Sequence, residues 1–332
     1  MKIESSVTAI SWIPSEGIKG LMKLPMDAGV SHWDAPLPAV IESLEKLRAS
    51  DAFRFANELR AWIEVKDDHI VNYGHSGKGH IGVTKLQLGP KGVSVAAVML
   101  PEIRPEPQVG RNWVRFTQTA GGRTGVPMPR RVRRKPYVQI ASPIAWTTLA
   151  LTVYADGTSY HKLTGASAFP RHWVYDNEGS LVEKSAAIDF KSWAQNAFGQ
   201  RTPWGSYDSP AIVTAAESAL ERDLSNSIMR GGTKPKHRKI AKGKTLVTQG
   251  EEGDEIFLLL DGILSIEVDG RKLTEIGPGA VLGERAILEG GRRTSTLRAV
   301  VDSRVAAVPG DKIDRAKVVE LSKRSRLEYG KD

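Results

Sequence analysis

Cysteine is absent from the 332 residues, which excludes disulfides, thiolate metal sites and a cysteine nucleophile. No apolar run approaches the roughly 18 residues that a membrane-spanning helix requires. The opening stretch, MKIESSVTAISWIPSEG, lacks the charged leader, apolar core and small-residue cleavage site of a secretory signal. A cytoplasmic protein without a membrane span is therefore expected. Repeats with a period of roughly 20 to 50 residues are missing, and no tract is low in complexity. Neither Gly-x-Ser-x-Gly nor His-Glu-x-x-His occurs, so no catalytic set is nameable and whether the chain is an enzyme is left open.

Charge is present in surplus of one sign. The 47 Lys and Arg residues outnumber the 38 Asp and Glu residues, a net charge of +9. That surplus favours an anionic partner, either a polyanion or a small phosphate. It is not a basic tail, because 20 basic and 16 acidic residues lie from Gly231 onward against 27 and 22 before it. One cluster, Arg130, Arg131, Arg133, Arg134 and Lys135, sits between prolines. Such a run can hold a phosphate backbone, yet a solvated loop is the simpler reading and nucleic acid is not an expected partner.

At roughly 100 to 200 residues per domain, the length implies two domains. The expected fold class is α+β. A β-rich domain of unknown function spans 1–207, a linker helix and basic connector 208–235, and an antiparallel β-roll with short helices 236–332. In the first domain a helix is expected over 37–59, after the turn-like Asp34-Ala35-Pro36. Short β-branched strands follow at 60–66, 81–88, 92–100, 113–118 and 147–155, with Asp156-Gly157 turning the chain into a strand at 159–163. Residues 209–229 show apolar residues at helical spacing behind Ser209 and Pro210 and read as the joining helix, and 229–244 as a connector broken by glycine, proline and cations.

From Ile240 onward glycines punctuate the chain: Gly243, Gly250, Gly253, Gly262, Gly270, Gly277, Gly279 and Gly283. Strands are expected at 256–260, 263–268, 272–276 and 296–301. Residues 279–298, GAVLGERAILEGGRRTSTLR, interrupt them with about one helical turn, a glycine-rich bend and two arginines. This stretch resembles the cyclic nucleotide-binding domain of the catabolite activator family, protein kinase A regulatory subunits and gated channels, and the resemblance covers about 236–328. The family's phosphate-binding cassette runs Phe-Gly-Glu-Leu-Ala-Leu and then Pro-Arg-Ala-Ala-Thr-Val. Gly283, Glu284, Ala286 and Leu288 fall at matching or similar positions in its first part, Arg293 takes the place of the phosphate arginine, and Thr296 with Leu297 fits its end. Three positions depart: Leu282 replaces an aromatic residue, Arg285 an aliphatic one, and Arg292 a proline.

The chemistry suits those residue types. A cyclic phosphate carries one delocalised negative charge, and the first turn of a helix offers it unpaired N–H groups. A guanidinium adds a planar, charge-assisted fork. The resemblance implies that Gly283, Glu284, Arg285, Ala286, Arg293, Thr294 and Ser295 bind the ligand, with Glu284 accepting the ribose 2′-hydroxyl and the hydroxyls of Thr294 and Ser295 meeting phosphate or base. It further implies cAMP as the regulatory ligand, with cGMP as the alternative, and no cofactor or metal. The expected function is a sensor whose C-terminal domain regulates an N-terminal binding or effector domain. Two rivals stand beside it: a nucleotide-gated enzyme with its active site in the N-terminal domain, and a scaffold whose β-roll has lost its ligand.

A last helix is expected over 311–329. In the family such a helix covers the base as a lid, a role open here to Leu321, Leu327 or Tyr329, which also suit core packing or pairing with a second copy of the chain. The 22 residues after Gly310 are too few for a helix-turn-helix module. Gly77-Lys-Gly79-His-Ile-Gly82 satisfies the letters of a dinucleotide fingerprint, but a strand follows it where a helix is needed. His69, His75 and His80 lack helical ligand spacing and read as loop residues rather than a metal site. Trp173, Trp193 and Trp204 read as core before they read as a binding surface.

Overall fold

The structure is a computed structural model and describes residues 1–14, 17–18, 23, 34–82, 84–88, 91–95, 97–124, 128–131, 138–141, 143–198, 201–205, 213–215, 224, 228–229 and 235–329. The chain forms two compact units, Met1–Ala211 and Ile212–Asp332. Arg133, Arg134 and Lys135 of the basic run lie outside the described residues.

The N-terminal unit is built on two antiparallel sheets. Strands β1 (Lys2–Trp12), β2 (Phe55–Lys66) and β3 (His69–Ile81) join β7 (Arg171–Tyr175) and β8 (Leu181–Ser185) in the order β8-β7-β1-β2-β3. The second sheet runs β6-β5-β4, from β4 (Trp113–Arg123), β5 (Ile144–Tyr154) and β6 (Ser159–Ala166), with Val98–Met99 at its edge. Leu59, Ile63, Phe116, Leu149, Leu151 and Leu163 are fully buried. Among these apolar groups sits an amide pair that ties the sheets together. Asn57 Nδ2 donates to the carbonyls of Gln118 at 3.2 Å and Thr147 at 3.0 Å, and Gln118 Nε2 donates to Asn57 Oδ1 at 2.8 Å. Asn57→Ala leaves buried donors and acceptors unpaired, and is expected to cost about 1 to 3 kcal/mol in urea unfolding. An unchanged midpoint contradicts that role.

A buried histidine forms a second polar anchor. His172 Nε2 lies 2.9 Å from the Ser167 carbonyl and Nδ1 lies 2.7 Å from Ser11 Oγ. A carbonyl only accepts, so Nε2 carries the proton and Nδ1 accepts from the Ser11 hydroxyl. The neutral ring is thus satisfied on both sides, and burial drives its pKa down to about 4.

The helix expected over 37–59 is corrected: only α1 (Leu44–Ala49) is helical, and Phe55 already begins β2. Ser43 caps α1 through Lys46 N, and Asp51 leaves helical space at φ 56°. The helix formers in FANELRAW are overridden because β2 lies between two partner strands and alternates its burial. β3 was legible only at its last residue, being polar and rich in glycine. The Asp156-Gly157 turn is present, with Gly157 at φ 94°. Trp173 and Trp193 are buried, as read, the latter on α2 (Phe190–Asn196).

In the C-terminal unit, two four-stranded antiparallel sheets share one core. The first has the order β9-β16-β11-β14, from β9 (Lys236–Ile240), β11 (Glu255–Asp261), β14 (Val281–Leu282) and β16 (Ser303–Pro309). The second has the order β10-β15-β12-β13, from β10 (Thr245–Val247), β12 (Leu264–Val268), β13 (Arg271–Ile276) and β15 (Thr296–Ala299). Phe257 and Leu259 meet Leu264, Ile276, Leu297 and Ala307 in that core. Their neighbours Ile256 and Leu258 face the other way, against Leu224, Ile228 and, from α4 (Arg315–Tyr329), Val318 and Leu321. A strand buried on both faces reads as the unbroken apolar run IFLLL. The roll of the sequence reading is thus seen as two facing sheets rather than one closed sheet. Leu321 is a core residue on α4, and the side chains of Leu327 and Tyr329 lie outside the description.

Two further corrections concern the joining segment. Val213–Ala215 is a strand where a helix was expected, while Leu224, Ile228 and Met229 are helical and the rest of 209–229 lies outside the described residues. The supposed connector contains β9, whose basic sequence KHRKI hid an alternation ending in buried Ile240.

Candidate functional site

The site is assembled where β14 runs into α3 (Glu284–Leu288), the short helix expected at ERAIL. Gly283 precedes α3 in left-handed geometry at φ 88°. A Cβ on it would stand 2.7 Å from Arg293 Nη1 and 2.8 Å from the Glu255 carbonyl, so both conformation and space demand glycine. Past α3, Gly290 and Gly291 turn the chain back with positive φ, and Gly291 N donates to the Ala286 carbonyl at 2.7 Å.

Three backbone bonds then fix the arginine segment. Arg293 N donates to the Glu251 carbonyl, Gly250 N to the Arg293 carbonyl and Gly253 N to the Gly291 carbonyl, each at 2.8 Å. The turn 250–253 and the segment 291–293 therefore hold one another in register. A Cβ on Gly253 would fall on the Arg293 guanidinium.

Arg293 is 5% exposed. Its Nη1 donates to the Glu255 carbonyl at 2.9 Å, and its guanidinium lies 5.0 Å from the centre of the Phe257 ring. Its Nε is buried without an acceptor. Among the described residues no carboxylate stands within ion-pair distance of it. Burial pulls its pKa below the ordinary arginine value, opposed by Glu255 and Asp254 and reinforced by Arg238. Guanidinium nevertheless stays charged. A buried cation stacked on an aromatic face and given one carbonyl is electrostatically incomplete, and an anion completes it.

The other predicted residues lie around this centre. Glu284 and Ala286 are buried on α3, and Arg285 is half-buried with its Nε lacking an acceptor. Thr294 and Ser295 follow Arg293, both partly exposed. Leu282 fills the core, whereas Arg292 is exposed and donates to the Gly250 carbonyl at 3.3 Å. Sequence reasoning missed the roles of Phe257, Glu255 and Arg238. Gly253 had been read as punctuation only; its pairing with Arg293 spans 40 positions, which no local pattern discloses.

Of the three histidines singled out, His80 Nε2 stands 3.5 Å from Glu58 Oε2 and His75 packs on Phe116, at 5.3 Å between ring centres. Glu58, also paired with Arg60 at 2.7 Å, is held to a pKa of about 2, the neighbouring His80 being the largest cause. Both line a cleft of about 720 Å³ with Ser6, Ser76, Glu45 and Asp176. His75 is not among its lining residues, and no metal-capable group of three or more forms among the described residues. The glycine fingerprint falls on β3, with a strand at Thr84–Leu88 after it.

Residues 237–317 match the family model of the cyclic nucleotide-binding domain. The C-terminal unit thus carries a member of that domain family. A cAMP-dependent protein kinase regulatory subunit of Eremothecium gossypii is 33% identical over 63 residues, 19% of this chain and 14% of that protein. An uncharacterized protein of Mycobacterium tuberculosis is 39% identical over 61 residues, 18% of this chain and 12% of that protein. These matches span about one-eighth of the relatives' length. Among solved structures, a cyclic nucleotide-binding domain from Methylobacillus flagellatus is 19% identical, covers 33% of this chain and 77% of its own, and has a TM-score of 0.29. Among the described residues no helix is long and apolar enough to cross a membrane.

Proposed function

We propose that this protein is a cyclic-nucleotide sensor: the C-terminal unit captures cAMP, and its occupancy regulates a binding or effector function of the N-terminal unit. The observation that carries the reading is Arg293, a buried guanidinium with no carboxylate partner among the described residues and one N–H without an acceptor. In this reading Arg293 grips the cyclic phosphate, and the N–H groups that open α3, from Glu284 to Ala286, complete the contact. A five-residue helix contributes donors far more than a dipole. Glu284 takes the ribose 2′-hydroxyl, and Thr294 and Ser295 supply hydroxyls to phosphate or base. Kinase regulatory subunits described as cAMP-dependent lend support from sequence similarity within the domain. A coupling of about 1 to 3 kcal/mol between the units would change an N-terminal affinity roughly 5- to 150-fold.

Titration with cAMP and 2′-deoxy-cAMP tests the reading. The deoxy analogue lacks the hydroxyl that Glu284 would accept and is expected to bind at least about tenfold more weakly; equal affinity removes Glu284 from its role. Gly253→Ala forces the guanidinium from its seat, and a loss of about tenfold in cAMP affinity is expected with little change in unfolding temperature. Unaltered binding contradicts the steric reading of Gly253.

A further inference from the structure

Glu255 serves two arginines at once. Its carbonyl accepts from Arg293 Nη1 at 2.9 Å, while its carboxylate oxygens lie 2.6 and 2.7 Å from Nη2 of Arg238. Residues 255 and 257 are two apart on β11, so their side chains leave the strand on the same face. Both guanidinium groups belong to that face, Arg293 at 5.0 Å and Arg238 at 5.6 Å from the Phe257 ring centre. The carboxylate of Glu255 is therefore an internal anion beside a buried cation that has none among the described residues. It does not neutralise Arg293 because Arg238, held on β9, occupies both of its oxygens.

We propose that Arg238 is a positioning residue that keeps the Glu255 carboxylate away from Arg293, so that the buried guanidinium is reserved for an incoming cyclic phosphate. The inference rests on the sensor reading above. With Arg238 removed, the carboxylate turns to Arg293, and the phosphate must displace it. Glu255 becomes a built-in competitor. Arg238 itself need not touch the ligand, and its positive charge acts on Glu255 rather than on the phosphate.

The test is a double-mutant cycle on the full chain, with cAMP binding read by calorimetry and folding read by thermal unfolding. Arg238→Ala is expected to weaken binding about tenfold, as a coupled charge pair allows. Glu255→Gln alone stays within about twofold of wild type, because Arg238 already holds that carboxylate, and the double variant returns to within about twofold. This non-additivity separates a positioning role from a general field. If the charge of Arg238 merely attracted the phosphate, Glu255→Gln would tighten binding by as much as Arg238→Ala loosens it, and the inference would be wrong. Undiminished binding in Arg238→Ala, or a double variant as weak as the single, also overturns it. Should Arg238→Ala unfold, Arg238→Gln keeps the stem over Phe257 and carries the same expectations. Wild-type protein that binds no cyclic nucleotide contradicts the sensor reading itself, and this inference falls with it.

Discussion

Arg293→Met is expected to weaken cAMP binding by about 100-fold or more while leaving the unfolding temperature of the ligand-free protein unchanged or raised. The two halves of that expectation have separate causes. A charge-assisted hydrogen bond contributes roughly 1.5 to 3 kcal/mol, and losing a two-pronged grip on phosphate forfeits at least about 3 kcal/mol, or two orders of magnitude in affinity. Stability responds otherwise, because Arg293 is 5% exposed, has no ion pair among the described residues and leaves Nε without an acceptor. Replacing a buried charge by an apolar group of similar reach is often neutral or stabilising. Methionine also keeps a polarisable group against Phe257. A drop of several degrees together with unchanged cAMP affinity would make Arg293 a structural residue and leave the site without its anion holder.

The N-terminal unit is expected to lose roughly 3 kcal/mol of stability as pH falls from 6.5 to 4, because of His172. Its folded pKa, about 4, lies below the ordinary 6.5, so the unfolded chain binds the extra proton across that window. Stability from this group is complete above pH 6.5 and declines as pH approaches 4, by about 1.4 kcal/mol per pH unit at most. Burial is the dominant cause, and protonating Nδ1 would also break its acceptance from Ser11. Glu58 acts in a lower window: its pKa of about 2 makes its contribution decline as pH falls from 4.5 toward 2. His75 is also shifted down by burial and adds in the same direction as His172. All eight tryptophans precede residue 211, so their fluorescence in urea reports on this unit alone. His172→Asn should flatten the slope between pH 6.5 and 4; an equal slope in wild type and variant would show that other groups carry it.

The two units differ in how much of them the sequence disclosed, and the reason is physical. In the C-terminal unit, glycines mark turns that only glycine tolerates, as at Gly250, Gly262 and Gly283 with positive φ, so strand ends between them are legible. α3 is legible as ERAIL, and Gly283, Glu284 and Arg293 stand out through their resemblance to the family's cassette. What stayed hidden depends on pairing across the fold: Gly253 under Arg293, Phe257 beneath the guanidinium, and Arg238 on a strand that composition alone presents as a linker. In the N-terminal unit β3 is polar and β2 is rich in helix formers, and both become strands only because partner strands flank or adjoin them. The Asn57–Gln118 and Ser11–His172 contacts join residues 61 and 161 positions apart. No periodicity carries such information.

Under the proposed function, Arg293 and the first turn of α3 capture a cyclic nucleotide. Calorimetric titration of the full chain with cAMP, with cGMP in parallel and Arg293→Met as control, tests it most directly. Saturable binding of one nucleotide per chain, lost in the variant, is expected. No heat and no rise in unfolding temperature with either nucleotide at millimolar concentration, in folded wild-type protein, would contradict it.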